Sequence, residues 1–388
     1  MSFQGVDYFG IADLLTEEER LVQASIRRFV DEEILPVIGG HFRAGTVDAS
    51  WPRRLGELGA LGASLHGYGC AGLGPVAYGL IMQELERGDS GVRSFASVQG
   101  ALVMYPIHSY GSAEQKERWL PAMARGEAIG CFGLTEPDFG SNPAGMRTTA
   151  RAHGDEFVIN GEKRWITSGG LADVALVWAK VDDGTVRGFL VPRGTPGFTT
   201  RDIHGKFSLR ASVTSELIFQ DCVVPKSALL PGVSGLRGPL SCLNQARFGI
   251  AFGALGAAMA CYDEALRYTR DRAQFHKPLA GHQLVQLKLV EMLQEITKAQ
   301  LLALQLGRLK EAGKARPQQV SLAKRNNVHM ALTCARTARD LLGANGITDE
   351  YQSGRHMCNL ESVFTYEGTD HIHTLIVGQD ITGLAAFD

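Results

Sequence analysis

The feature that most limits what this chain can fold into is a change of hydrophobic period that happens twice. From about residue 14 to 127 apolar side chains recur at helical spacing. From about 130 to 238 they form short runs broken by Gly, Thr and Ser, and from 240 onward helical spacing returns. In the first stretch Thr16-Glu-Glu-Glu19 reads as a capping box, followed by Leu21, Val22, Ile26, Phe29 and Val30 at helical spacing. A helix is expected over 76–87, and Ser112-Ala-Glu-Gln115 opens another. In the middle stretch, Asn160-Gly161 between runs 156–159 and 163–166 predicts a hairpin, as does Asp182-Asp-Gly184 between 174–180 and 187–191. With 216–219 this makes at least five strands, in a barrel or sandwich. Long helices are expected over 247–271, 282–312 and 318–342, separated at Pro278, Gly313 and Gly343. The expected fold is mainly α with a central β domain: a helical domain (1–129), a β-barrel-like middle domain (130–238) and a C-terminal helical bundle (239–388). Leu284, Leu287, Val290, Leu293, Ile296 and Leu304 form a stripe that needs a partner helix, from this chain or from another subunit.

Composition narrows the function classes. With 388 residues the chain can bury a sizeable core without disulfides or metals. Thirty-nine basic residues against 41 acidic give no electrostatic case for nucleic acid or an anionic membrane. The seven cysteines include no Cys-x-x-Cys pair and suit a reducing compartment. The acidic amino terminus MSFQGVDYFGIADLLTEEER lacks a basic region followed by an apolar one, and the charge-free stretch 248–262 is too short for a membrane span. The terminal AAFD matches no lipidation or peroxisomal signal. A soluble cytoplasmic protein is the expectation.

Four segments could carry chemistry, and each has an ordinary explanation when read alone. Cys131-Phe-Gly-Leu-Thr-Glu-Pro-Asp-Phe-Gly-Ser141 is a turn-rich loop whose Thr135 and Ser141 hydroxyls could meet a ligand's polar edge, and Trp165-Ile166-Thr167 could cover and hydrogen-bond a flat ring. In Asp271-Arg-Ala-Gln-Phe-His-Lys-Pro278, Arg272 has the planar fork that suits phosphate; the alternative is a surface salt bridge. Asp340-Leu-Leu-Gly-Ala-Asn-Gly346 ends a helix in glycines, either as a simple cap or to admit a pyrophosphate. In Thr365-Tyr-Glu-Gly-Thr-Asp-His-Ile-His373, Glu367 before Gly368 is a candidate base or a helix N-terminal acid. His371 and His373 are spaced too closely for a helical metal pair, so no metal is expected.

Together, FGLTEP…GS, WIT, DRAQF, the Gly-rich turn and YEGT, in this order on a helix–β–helix chain, resemble the acyl-CoA dehydrogenase flavoproteins, from about Thr16 to Phe387. Within them the chain is most similar to the glutaryl-CoA dehydrogenases, on DSGVRSFASVQ (89–99), GKFSLRAS (205–212), LRGP (236–239), KRNN (324–327) and NLES (359–362). The resemblance implies FAD as cofactor and Glu367 as the base that takes the α-proton of an acyl thioester. It implies Arg93 as the grip on the far carboxylate of a dicarboxylic chain, with Ser94, Ser97 and Glu86 around it. A carboxylate entering an apolar pocket does need a charge-assisted partner. A buried base beside an apolar chain is expected to have a raised pKa.

Implied FAD contacts are Phe132, Leu134, Thr135, Gly140 and Ser141 on the flavin loop, Trp165, Ile166 and Thr167, then Arg272 and Phe275. Gln283, Asp340, Leu341, Gly343 and Ala344 correspond to groups that reach FAD from a neighbouring subunit; Thr369, Asp370 and His371 follow the base. Implied acyl-CoA contacts are Ser141, Leu243, Asn244, Arg247, Tyr366 and Gly368. A homo-oligomer, a tetramer in the family, and an electron-transfer flavoprotein as acceptor are also implied. The expected reaction is oxidation and decarboxylation of glutaryl-CoA to crotonyl-CoA and CO2.

Several positions depart from the subfamily pattern: Val92, Gly100, Ser168-Gly-Gly170, Asp370-His371, Gln379 and the stretch 66–74. They leave open another carboxylated or short-chain acyl-CoA or acyl-carrier-protein thioester without decarboxylation, a flavin oxidase relative, or a helical scaffold without activity.

Overall fold

The computed structural model describes Phe3 and residues 5–386. Met1, Ser2 and Gln4 of the acidic amino terminus, and Phe387 and Asp388, where the resemblance and the AAFD tail end, lie outside the described residues. Helix α1 (Glu17–Phe29) starts with the expected capping box: Glu19 N donates to Thr16 Oγ1, and Thr16 N donates to Glu19 Oε2. It runs through a π-helical turn (Val30–Ile34) into α2 (Leu35–Ala44), and α3 (Trp51–Glu57) follows. Helices α4 (Pro75–Gly88) and α5 (Ser90–Ser97) pass through a second π-helical turn (Val98–Met104) into α6 (Tyr105–Tyr110), and α7 (Ala113–Ala124) opens with the Ser112 capping box. Both π turns run into a proline, Pro36 and Pro106, in the first turn of the helix that follows. A proline has no amide to return to the preceding turn, so the helix widens there instead of breaking.

The middle region is one seven-stranded sheet: β1 (Gly130–Gly133), β2 (Thr149–His153), β3 (Glu156–Thr167), β4 (Val174–Lys180), β5 (Val186–Pro192), β6 (Phe198–Asp202) and β7 (Thr214–Pro225). Cys131, Ala175, Val177, Phe189, Val191, Leu217 and Phe219 share one core, so the sheet curls around its own side chains. The β4–β5 hairpin turns where Asp182-Asp-Gly184 predicts it. The Asn160-Gly161 hairpin does not form. β3 runs straight through these residues, and the chain reverses earlier, between β2 and β3, where His153 faces Glu156. Asn160-Gly161 instead makes a bulge in the β3–β7 ladder, with Asn160 Nδ2 donating to Asp221 Oδ1. Gly161 is required there, because a Cβ would lie 2.5 Å from Thr148 Oγ1.

The C-terminal region begins with α8 (Arg237–Asp271), which starts earlier than periodicity indicates. A short hairpin of β8 (Ala273–Gln274) and β9 (Lys277–Pro278) follows, then α9 (Gln283–Glu311), α10 (Pro317–Leu341), α11 (Ser353–Thr365) and α12 (Asp370–Thr382). Both helical regions share one apolar core, in which Tyr78, Ile81, Met82 and Leu85 of α4 lie with Phe248, Phe252 and Leu255 of α8. The α9 stripe divides. Ile296 and Leu304 are buried in this chain, whereas Leu284, Leu287 and Val290 remain more than half exposed. Among the described residues no helix is long and apolar enough to cross a membrane.

Candidate active site

The loop between α11 and α12 carries two successive residues at positive φ. Tyr366 is extended, Glu367 sits at φ +52° and Gly368 at φ +93°, and Thr369 caps α12 by accepting from Ile372 N. Two successive left-handed residues reverse the chain in one step. A side-chain-bearing residue in that region costs roughly 1–2 kcal/mol, so something must hold Glu367 there. Two cations do so, one half-buried and one buried. Arg247 Nε on α8 donates to Glu367 O at 2.7 Å, and Lys324 Nζ on α10 donates to Tyr366 O and Gly368 O, both at 2.6 Å. Gly368 is forced: a Cβ would come within 2.8 Å of His373 Nε2 and 3.1 Å of Arg247 Nη2.

Glu367 is flanked by charge. Burial raises its carboxyl pKa above the ordinary range; Arg93, Lys324 and Arg247 counter this and Glu86 adds to it, leaving a net rise. Burial pushes the Lys324 ammonium down to about 7, with Glu367 and Asp370 opposing and Arg247 and Arg93 assisting. Arg93 on α5 is wholly buried, with Nε donating to Glu86 Oε2 at 2.6 Å and Nη2 to the Tyr366 hydroxyl. Burial opposes charge on Arg93, yet Glu86, Tyr366 and Glu367 together hold its pKa above the usual value. Gly253 of α8 makes room for the pair, since a Cβ there would lie 2.2 Å from Glu86 Oε2. Arg93 Nη1, Glu86 Oε1, Ser97 Oγ, Tyr78 Oη and Glu367 Oε2 are buried with no hydrogen-bond partner among the described residues. Buried polar atoms are nearly always satisfied, so five unsatisfied ones on α4, α5 and the Glu367 loop mark a place where a polar ligand belongs.

Asp89, the N-cap of α5, connects the two ends of this cluster. It accepts from Gly91 N at 2.7 Å and from Arg355 Nε (3.0 Å) and Asn359 Nδ2 (2.8 Å) on α11, the helix that leads into Glu367. Sequence reading misses Asp89, Tyr78 and Lys324 as site residues. A signal existed for Lys324: it shares a helical face with Val320, Asn327, Val328 and Ala331, where a lone lysine among apolar groups needs a buried partner.

A second group forms at the rim of the sheet. Arg164 N donates to Thr135 O, placing Thr135 beside Trp165, which is 55% exposed at φ +63°. Below it, buried Lys163 donates to Leu134 O (3.1 Å) and Glu136 Oε1 (2.8 Å), and Glu136 accepts from Arg147 N and Thr148 N. This closes the loop that bears the exposed Gly140 and Ser141. The exposed indole and flanking hydroxyls fit the edge and face of a flat, polar-edged ring such as a flavin. Phe132, Leu134 and Ile166 are buried, so Leu134 and Ile166 face the core and offer only their main chain. Ser168-Gly169-Gly170 packs on β6 and β7, where a Cβ on Gly170 would lie 2.3 Å from Asp202 Oδ1 and displace that carboxylate.

The remaining residues lie apart. Arg272, Phe275, Gln283, Asp340, Gly343 and Ala344 are exposed near the ends of α8 and α10 and the start of α9, tied together by the Lys288–Asp340 pair and Asn345 Nδ2 donating to Tyr268 Oη. Leu341 is buried beneath them. None of the hydrogen bonds or ion pairs among the described residues joins this group to the Thr135–Trp165 rim. Leu243 and Asn244 lie one turn before Arg247 on α8, Ser94 is buried, Asp370 opens α12 and His371 is exposed.

The fold and these two groups define a helix–sheet–helix chain in which a carboxyl with one buried, unpartnered oxygen lies in the same cluster as a buried guanidinium with one unpartnered nitrogen. Family models for the acyl-CoA dehydrogenase N-terminal domain, middle domain and C-terminal domain match residues 16–127, 131–222 and 234–382. A glutaryl-CoA dehydrogenase from Mycobacterium smegmatis, solved with FADH2, superposes with TM-score 0.98 at 56% identity over 99% of each chain. Butyryl-CoA dehydrogenase from Megasphaera elsdenii superposes with TM-score 0.90 at 32% identity over 95% of this chain and 98% of its own. The mitochondrial short-chain specific acyl-CoA dehydrogenase of Homo sapiens is 34% identical over 94% of this chain and 90% of its own length. The chain belongs to the acyl-CoA dehydrogenase family. It is an FAD-dependent dehydrogenase.

Proposed function

We propose that the chain oxidises glutaryl-CoA and decarboxylates the product to crotonyl-CoA and CO2. The observation that carries this reading is Arg93 Nη1, a wholly buried guanidinium donor with no partner, in the same cluster as Glu367. A second carboxylate on the acyl chain would satisfy it; a simple fatty chain would not. The 56% identity to a glutaryl-CoA dehydrogenase supports the same reading.

Glu367 takes the α-proton, and its raised pKa suits a group that must later give a proton back. FAD, when bound, accepts the β-hydrogen as hydride; Thr135, Trp165, Thr167 and Ser141 would hold its ring, and Arg272 its phosphates. The resulting glutaconyl thioester loses its terminal carboxylate as CO2. The bonding pair passes into the conjugated chain, and protonated Glu367 returns its proton to form the crotonyl thioester. Arg93, already shared with Glu86, orients the departing carboxylate without matching its charge in full. The family pattern further supports a homo-oligomer, with Gln283 and residues 340–344 reaching a neighbour's FAD, and an electron-transfer flavoprotein as acceptor.

The short-chain relatives and the neutralising Glu86 favour a second reading, oxidation of a short monocarboxylic acyl-CoA without CO2 loss. Anaerobic mixing with glutaryl-CoA distinguishes the two. Flavin bleaching with stoichiometric CO2 is expected, whereas bleaching by butyryl-CoA alone, or bleaching without CO2, would overturn the first reading.

A further inference from the structure

We propose that Lys324 is a positioning residue of the dehydrogenation: by gripping the carbonyls on either side of Glu367 it aims the Glu367 amide and carboxyl at the substrate. The proposal rests on Glu367 being the base.

Lys324 is 1% exposed, on the inner face of α10. Its ammonium hydrogen-bonds no carboxylate. It donates to Tyr366 O and Gly368 O at 2.6 Å each, although Glu367 and Asp370 both lie close enough to act on its charge. A buried cation that binds two main-chain oxygens instead of an acid sets peptide orientation.

The direction follows from covalent geometry. In a planar trans peptide the C=O and N–H point opposite ways. With Tyr366 O turned onto Lys324, the N–H of Glu367 points away from α10, and it has no acceptor among the described hydrogen bonds. With Gly368 O held the same way, the peptide following Gly368 is fixed too, and Arg247 fixes the carbonyl between them. The lysine thus supports a left-handed Glu367 and leaves one oriented amide donor beside the unpartnered carboxylate oxygen. That amide is placed to donate to a thioester carbonyl as negative charge develops on it, the step at which a fixed donor counts most.

Around Lys324 stand the carboxyls of Glu367 and Asp370, the guanidiniums of Arg247 and Arg93, the Tyr366 ring with its centroid 5.9 Å from Nζ, and His373, held neutral by burial. Because Lys324 helps hold the Glu367 pKa down, its removal raises that pKa further. The deprotonated, active fraction at a given pH then falls, and the acid limb of the rate moves to higher pH.

The test compares Lys324→Met, of similar length without donors, Lys324→Arg, which keeps donors, and Glu367→Gln, all loaded with FAD and mixed anaerobically with glutaryl-CoA. In Lys324→Met the bleaching rate should fall on the order of 100-fold, the loss expected for one fixed donor, with KM little changed. The acid limb should shift upward, and Lys324→Arg should recover much of the rate. The proposal is overturned if Lys324→Met bleaches at the parent rate, if its loss only tracks lost folded protein by thermal unfolding with the pH limb unmoved, or if neither variant folds, which makes the lysine purely structural. A Glu367→Gln that bleaches normally removes the base reading and this proposal with it. A silent Glu367→Gln beside a normal Lys324→Met leaves the base reading standing and refutes the role of Lys324 alone.

Discussion

Arg93 meets two opposing demands. Buried without a counter-charge it would be too costly, so Glu86 pairs with it; paired completely it would have nothing left for a ligand, and Nη1 stays free. The simple substitution Arg93→Ala is therefore a poor probe, since it strands Glu86 as a buried anion at a cost of about 3–5 kcal/mol. Replacing both, as Glu86→Gln with Arg93→Met, avoids that penalty. The double variant should lose kcat/KM for glutaryl-CoA by roughly 10- to 100-fold, the worth of a charge-assisted hydrogen bond, and keep most of it for butyryl-CoA. Equal losses in steady-state assays of the two substrates would end the case for carboxylate recognition. At this scale the sequence was half legible. Glu367 and Arg93 sit in recognisable motifs, Glu86 enters only through the resemblance, and the structure gathers all three, but Lys324 and Asp89 act through main chain and through another helix, contacts that no local motif reveals.

Helices α4 and α8 approach until backbone nearly meets backbone. A Cβ on Gly256 would fall 1.8 Å from Gln83 O, and one on Gly253 would enter the Glu86–Arg93 pair. Gly256→Ala must push the helices apart and should destabilise the fold by roughly 1–3 kcal/mol, read as a lower urea midpoint with the FAD-loaded enzyme. An unchanged midpoint would show that the helices slide freely. Elements with strong local signals were readable: both capping boxes, the 182–184 hairpin and the three long helices. Asn160-Gly161 was not, because the positive φ that suits a turn also suits a bulge, and only the pairing of β3 with β7 decides between them. The π turns were illegible for a similar reason: Pro36 and Pro106 mark a disturbance, and whether the helix breaks or widens depends on the packing around it.

On the scale of the whole molecule, Leu284, Leu287 and Val290 leave one face of α9 apolar and open, next to exposed Phe275 and Gln283. Under the proposed function, in which Gln283 and residues 340–344 reach a neighbour's FAD, a second copy of the chain would cover this stripe. Leu287→Glu is expected to shift the assembly to smaller species on size exclusion and to lower the flavin-to-protein absorbance ratio in parallel. Dissociation with full flavin retention would separate the oligomer from the cofactor.

Asp89 binds the helix of Arg93 and the helix that delivers Glu367 into one rigid piece, so the two ends of the cluster cannot drift independently. Under the proposed function, the span between them would work as a ruler. An acid whose tail is one methylene too short or too long would then fail to reach the guanidinium and present its α-carbon to Glu367 at once, and selectivity for chain length would be built into a carboxylate that acts only through the two helices it joins.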